Sequence, residues 1–231
     1  MFDISPTEWT AILLSLRVAT VATLVATPLA VAVAWLLARR EFWGKALLDA
    51  TIHLPLVLPP VVTGYLLLLT FGKRGLVGAW LYDHLGIVFA FRWTGAALAC
   101  GIMSFPLLVR PIRLSIEAVD RRLEQAASTL GAAPWKVFLT VTLPLALPGI
   151  IAGAVMAFAR ALGEFGATIT FVSNIPGETQ TISAAIYTLL QIPGGEALAI
   201  RLVLIAIALS LGALIVSEWF ARRAGMRFQG E

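Results

Sequence analysis

The chain has 231 residues, 59% hydrophobic and 13% charged, with a mean hydropathy of +0.91. A soluble domain carries roughly 25% charged residues, so this composition excludes a soluble globule and indicates an all-α integral membrane protein. The net charge of +4 does not point to nucleic acid, because the basic residues lie at loop ends and form no block.

A membrane span needs about 20 apolar residues, and the apolar runs predict five helices, near 12–38, 51–71, 93–112, 147–172 and 197–220. Asp3 and Glu8 precede the first run and no basic leader does, so that run is expected to be retained rather than cleaved. Within it Ala22, Ala26, Ala30, Ala34 and Ala38 stand four apart, a small-residue stripe that lets helix backbones approach in lipid. Pro28 is expected to bend the same helix. Pro55, Pro59 and Pro60 crowd the second span, each removing a backbone donor and bending its helix. Carbonyls freed there should face protein or a water-filled cavity. The following stretch, Leu76 to Phe91, is apolar but broken by Gly78, Asp83, His84 and Gly86, which allows a re-entrant or interfacial piece.

Beyond the third span the chain turns polar. From Glu117 to Leu130, Val119, Leu123, Ala126, Ala127 and Leu130 recur at helical spacing, with Glu117, Asp120, Arg121, Arg122 and Glu124 elsewhere around the helix. Gly131 can end that helix in a left-handed cap and Pro134 can open the next. Amphipathicity alone fits either a linker lying on the membrane or a docking element.

The fourth predicted span repeats the small-residue stripe at Gly149, Gly153, Ala157 and Ala161. It also carries Arg160 and Glu164, and a charge near a helix centre costs about 2.5–3.5 kcal/mol on insertion scales. Their i, i+4 spacing allows an ion pair. One reading is mutual neutralisation. The other is that Arg160 adds positive potential to the path of a dianion while Glu164 keeps the path from holding it too tightly. Thr168 and Thr170 could hydrogen-bond an oxyanion or their own backbone. In the loop 173–196, Pro176-Gly177 and Pro193-Gly194-Gly195 bracket a possible short helix from Thr181 to Gln191.

Eleven of the seventeen Lys and Arg follow the first, third and fifth spans: Arg39, Arg40, Lys45, Arg110, Arg113, Arg121, Arg122, Lys136, Arg222, Arg223 and Arg227. Lys73, Arg74 and Arg92 lie on the other side. The positive-inside rule then predicts a periplasmic N-terminus, a cytoplasmic C-terminus and a cytoplasmic polar segment. His53 and His84 are the only histidines, and Cys100 is the only cysteine, in an apolar run. No catalytic constellation, metal site or disulfide is expected from these residues.

Glu124-Gln125-Ala126-Ala127, Gly131, Val141, Leu143 and Pro144 resemble the EAA loop of ABC importer permeases of the type I fold. Gln125 holds the usual glutamate position, Glu124 stands one residue earlier, and Val141 replaces the commoner isoleucine. The resemblance implies a coupling helix that docks in a cleft on a separate ATP-binding subunit, with either Glu124 or Gln125 making the decisive contact. No Gly-x-x-x-x-Gly-Lys-Ser/Thr phosphate loop occurs in the chain, so ATP and Mg are expected on the partner and no enzyme site on this subunit. The runs His53 to Tyr65, Phe158 to Phe171 and Ser173 to Thr179 are similar to the permease subunits of bacterial molybdate ABC importers, with tungstate, sulfate or thiosulfate as alternative oxyanions.

The resemblance thus implies one transmembrane domain over 1–231 (core 12–220), a coupling loop at 113–146 and a periplasmic loop at 173–196. It implies a bacterial inner-membrane homodimer served by an ATP-binding subunit dimer and a periplasmic oxyanion-binding protein, and no nucleic acid. A channel or secondary anion transporter is the contrasting class, but it would leave the polar segment without a purpose. A membrane-embedded enzyme lacks its residues.

Overall fold

The computed structural model describes residues 5–228, with side chains through residue 215; Asp3 and the side chains of Arg222, Arg223 and Arg227 lie outside the described residues. The described chain is helical, with no strand: α1 Pro6–Arg39, α2 Lys45–Val57, α3 Pro60–Phe71, α4 Leu76–Leu85, α5 Trp93–Ala118, α6 Arg121–Thr129, α7 Pro134–Val137, a π-helical turn Phe138–Thr142, α8 Leu143–Leu162, α9 Gly166–Val172, α10 Ile182–Leu190 and α11 Glu196–Phe228. Pro6–Arg39, Trp93–Ala118, Pro134–Leu162 and Glu196–Ile215 are each long and apolar enough to cross a membrane. The pair α2 and α3 makes a fifth only as a broken span, bent by 116°.

Two expectations are corrected here. The run 51–71 is two helices meeting at Leu58 and Pro59. Pro60 takes the first position of α3, where a missing N–H is tolerated. Pro59 and Pro60 therefore mark a break, whereas Pro28 and Pro55 sit inside continuous helices. The run 147–172 is also not one helix. Its helix starts earlier, at Pro134, and stops at Leu162, and α9 begins after Gly163, Glu164 and Phe165. Hydropathy is continuous across that break because both sides are apolar, so composition cannot see it.

Capping chemistry explains the start of α1. The Ser5 hydroxyl accepts from Glu8 N at 3.3 Å and Glu8 Oε2 accepts from Ser5 N at 2.8 Å, with Pro6 in the first turn. Glu8 also takes both Arg201 Nε and Nη2 on Oε1, at 3.0 and 2.7 Å, tying α1 to α11. Nearby, Ile182 N donates to Ser15 Oγ at 2.7 Å and docks α10 on the same end.

The core lies between α1, α5 and α8. Ala26, Ala30, Ala34 and Leu37 of α1 meet Leu108, Val109, Ile112 and Ile116 of α5 and Ala146 and Ala157 of α8. The two predicted small-residue stripes are packing surfaces. A Cβ on Gly149 would strike the Ser115 side chain, and one on Gly153 would lie 3.1 Å from the Leu108 carbonyl oxygen. Leu24, Val25 and Leu29 of α1, Val61, Tyr65 and Leu69 of α3 and Leu204, Ile207 and Leu211 of α11 stay exposed, a surface for lipid or another subunit.

Candidate functional site

The polar segment folds as its residues predict. The Asp120 carboxylate accepts from Arg122 N at 2.9 Å and caps the start of α6. Gly131 ends it at φ +86, and Ala132 N donates to Ala127 O at 3.2 Å across the left-handed turn. Pro134 then opens α7, which runs through the π turn into α8 without a break. The loop that leaves the bundle is therefore shorter than 113–146: α5 extends to Ala118, and the helix containing Val141, Leu143 and Pro144 has already begun at Pro134.

Glu124 faces its own chain. Its Oε1 accepts from Arg39 Nη2 at 3.0 Å and from Thr142 Oγ1 at 2.6 Å. The same Arg39 nitrogen donates to the Val119 carbonyl at 3.3 Å. One carboxylate thus joins α6 to the end of α1 and to the π turn beneath α8. A π turn adds a residue to the helical circuit and is a recurrent feature of functional helices; here it contains Thr142. Gln125 and Ala126 are exposed, Ala127 half-buried. The predicted apolar stripe is only partly buried: Val119 is inside, while Leu123 and Leu130 are exposed, Leu130 to 88%, beside exposed Trp135 and Leu139. Leu123, Leu130, Trp135 and Leu139 are thus exposed apolar side chains of this segment, and Gln125 is exposed as well.

Along the bundle, the two broken segments touch at their breaks. A Cβ on Gly64 of α3 would come 2.5 Å from the Ala167 carbonyl oxygen and 2.9 Å from Thr170 Cβ, and one on Gly166 would come 2.7 Å from Pro60 Cβ. Only hydrogen fits at either crossing. Cys100 Sγ lies 3.6 Å from the Ala161 carbonyl, and Gly101 of α5 faces the Ala22 carbonyl. The α8 break therefore begins level with the middle of α1. Discontinuous helices near mid-depth are a recurrent way for transporters to expose backbone polar groups inside a membrane.

Glu164 occupies this break and is 1% exposed, with Arg160 31% exposed. Glu164 Oε1 accepts from Ala167 N at 2.9 Å, capping α9. Arg160 Nη1 lies 2.7 Å from Oε2, an ion pair whose angle falls outside hydrogen-bond geometry, so that oxygen makes no hydrogen bond. The predicted pairing of Arg160 and Glu164 is present. Thr168 and Thr170 donate to the Phe165 and Gly166 carbonyls, each at 2.9 Å. Being on α9, they do not share the helix of Arg160, as the unbroken 147–172 reading required. Sequence reasoning missed Arg39, Thr142, Gly64 and Gly166. The glycines had a signal in their place beside the Pro59-Pro60 and Gly163 breaks; Arg39 and Thr142 had none.

A cavity of about 570 Å³ between α1, α2 and α5 is lined by Val25, Leu29, Pro55, Phe89 and Phe105 among others, with Thr51 and Thr94 as its polar side chains. Its walls suit an acyl chain and offer a dianion little. A second, of about 490 Å³, lies beside α6 and carries Arg39, Arg40, Arg121 and Glu124. Among the described residues no group of three His, Cys, Asp or Glu could hold a metal ion.

A polytopic helical bundle with broken spans and a helix–glycine–helix loop is the architecture of a transport permease. Residues 26–226 match the family described as binding-protein-dependent transport system inner membrane component, and the chain belongs to that family. The molybdenum transport system permease protein ModB of Escherichia coli K12 is 64% identical over 215 residues, 93% of this chain and 94% of that protein. The protein of the same name from Haemophilus influenzae is 59% identical over 216 residues, 94% of each chain. Among solved structures, a bacterial ABC transporter involved in import of the acidic polysaccharide alginate shares the fold at a TM-score of 0.76 and 18% identity, covering 95% of this chain and 80% of that one. The chain is thus an inner membrane component of a binding-protein-dependent transport system.

Proposed function

We propose that this subunit translocates molybdate inward as a homodimer, driven by ATP and Mg bound to a separate ATP-binding subunit dimer and supplied by a periplasmic oxyanion-binding protein. The 64% identity to the E. coli molybdenum permease over nearly the full length of both proteins carries the choice of oxyanion. Positive-inside counting supports a cytoplasmic α6 and a periplasmic N-terminus. The whole chain acts as one transmembrane domain, with the 173–196 segment and its α10 helix on the periplasmic side.

The mechanism follows from how α6 is attached. The exposed apolar residues Leu123, Leu130 and Trp135, with Gln125, contact the ATP-binding subunit. Glu124 stays on this chain, where its bonds to Arg39 and Thr142 make displacement of α6 a displacement of α1 and α8. Closure of the ATP-binding subunits draws two such loops together, and α8 moves as a rigid helix up to Leu162. The break at Gly163 to Phe165 then changes angle against α3, so the path opens to the other side, and hydrolysis reverses it. Arg160, one-third exposed beside the break, supplies positive potential to the passing dianion; Glu164 keeps that charge from trapping it. Thr168 and Thr170 line the same region while serving their own backbone.

Radiolabelled molybdate, tungstate and sulfate offered to vesicles containing the purified complex test the reading. Accumulation of molybdate in preference to sulfate, abolished when the ATP-binding subunit is left out, is expected. Uptake that persists without that subunit would instead indicate a channel or secondary transporter.

A further inference from the structure

The 490 Å³ cavity beside α6 is charged in a way that Glu124 does not balance. Three guanidinium groups, Arg39, Arg40 and Arg121, line it against the single carboxylate of Glu124. That carboxylate is already engaged by Arg39 and Thr142 on one oxygen. Arg39 has a side chain only 9% exposed, and its Nε is buried without a hydrogen-bond partner. A buried guanidinium N–H left unpaired is uncommon, because it forfeits the hydration it had in water. The cavity therefore has a formal excess of two positive charges.

Its walls change character along their length. Trp35, Val137 and Phe138 form an apolar part, with the Trp35 and Phe138 rings in edge-to-face contact at 6.0 Å. Arg40 and Arg121 are exposed, and the Arg40 guanidinium stands 5.7 Å from the Trp35 ring centroid. Ser128 and Thr129 also line it, their hydroxyls donating to the Glu124 and Ala126 carbonyls. The cavity sits where α1, long and apolar enough to span a membrane, ends in Arg39 and Arg40. Tryptophan and arginine at a span end are the groups that bind lipid headgroups.

We propose that this cavity binds the phosphate group of an anionic phospholipid, Arg40 and Arg121 holding the phosphate oxygens and Trp35 with Phe138 packing on the glycerol and first methylenes. A volume of this size is in the range of small-ligand sites and exceeds what one acidic side chain of a docking protein would fill. The bound headgroup would stiffen the joint between α1 and α6 on which Glu124 acts. The site does not depend on which face of the membrane α6 occupies, since both leaflets carry phosphate.

The test uses the full-length permease with its ATP-binding subunit, in nanodiscs of phosphatidylcholine with or without phosphatidylglycerol, followed by native mass spectrometry of the lipid retained after detergent extraction. Wild type should retain phosphatidylglycerol, and Arg40→Gln/Arg121→Gln should retain roughly tenfold less, while Arg40→Lys/Arg121→Lys keeps part of the binding. A parallel arm measures binding of radiolabelled inorganic phosphate to lipid-stripped complex. Phosphate binding that is lost in the glutamine variant, without lipid retention, would keep the phosphate site but make a free anion its source. Retention of phosphatidylglycerol equally by wild type and the glutamine variant would overturn the proposal, as would absence of both binding signals. Loss of the lipid when the ATP-binding subunit is added to permease alone would overturn it too, by assigning the cavity to a protein contact. Transport is not the readout, so a wrong substrate assignment would leave the result interpretable.

Discussion

Two arginine–carboxylate pairs, built from the same groups, stand in opposite surroundings. Arg160 and Glu164 are one turn apart on the chain and meet in a break midway along the bundle, where the carboxylate is sealed from solvent. Arg39 and Glu124 are 85 residues apart and meet at the end of the bundle, where the carboxylate keeps 19% exposure. The first pair is local and holds the shape of a break. The second joins elements that sequence does not connect, so it can carry displacement from α6 into α1 and α8. Burial sets how much each contributes to stability, and connectivity sets what each can do for transport.

The comparison breaks most readily at Glu164. Glu164→Ala leaves the Arg160 charge unpaired and the Ala167 amide uncapped, and loss of one partner of a buried pair is destabilising by about 3–5 kcal/mol. Arg160 is one-third exposed, so the lower end applies, read as a fall in the thermal midpoint of the purified complex. Glu164→Gln, which keeps the acceptor for Ala167, should lose about half as much. Arg160→Gln separates the roles of that pair: reduced molybdate uptake with intact assembly supports a path residue, and lost assembly supports a structural one.

Gly64→Val comes next. Its side chain would drive α3 from α9 where they cross, with overpacking of about 1–3 kcal/mol, and on the proposed mechanism uptake should fall further than stability. Glu124→Gln keeps an acceptor for Arg39 and Thr142 but removes the charge, and should lower the stability read from the midpoint by about 1–2 kcal/mol. Gln125→Glu is the smallest: an exposed side chain, changing stability within about 0.5 kcal/mol. A change in affinity for the ATP-binding subunit, measured by co-purification, would show that Gln125 makes the outward contact.

Much of the loop was legible because its chemistry is local. Gly131 had to accept a positive φ, Pro134 could only open a helix, and Asp120 stood just before a helix-forming run; all of these act within one turn of chain. The α10 helix was bracketed by glycine and proline in the same way. The breaks were half legible. Pro59-Pro60 announced a bend but not its 116°, and the close approach of α9 to Gly64 involves a distant part of the chain. The Gly163 break was hidden within an apolar run, and what stabilises it is a Glu164 cap that hydropathy scores only as a charge. The partners of Glu124 could not be read at all, since Arg39 and Thr142 reach it through the tertiary arrangement of α1, α6 and the π turn.

The most direct measurement takes ATP hydrolysis and molybdate uptake together in proteoliposomes of the Glu124→Gln complex. Hydrolysis close to wild type with uptake reduced about tenfold, the loss of roughly 1.4 kcal/mol of coupling, is predicted. Uptake that stays in proportion to hydrolysis, whether both are kept or both are lost, would contradict the role assigned to Glu124 as the link between the loop and the spans.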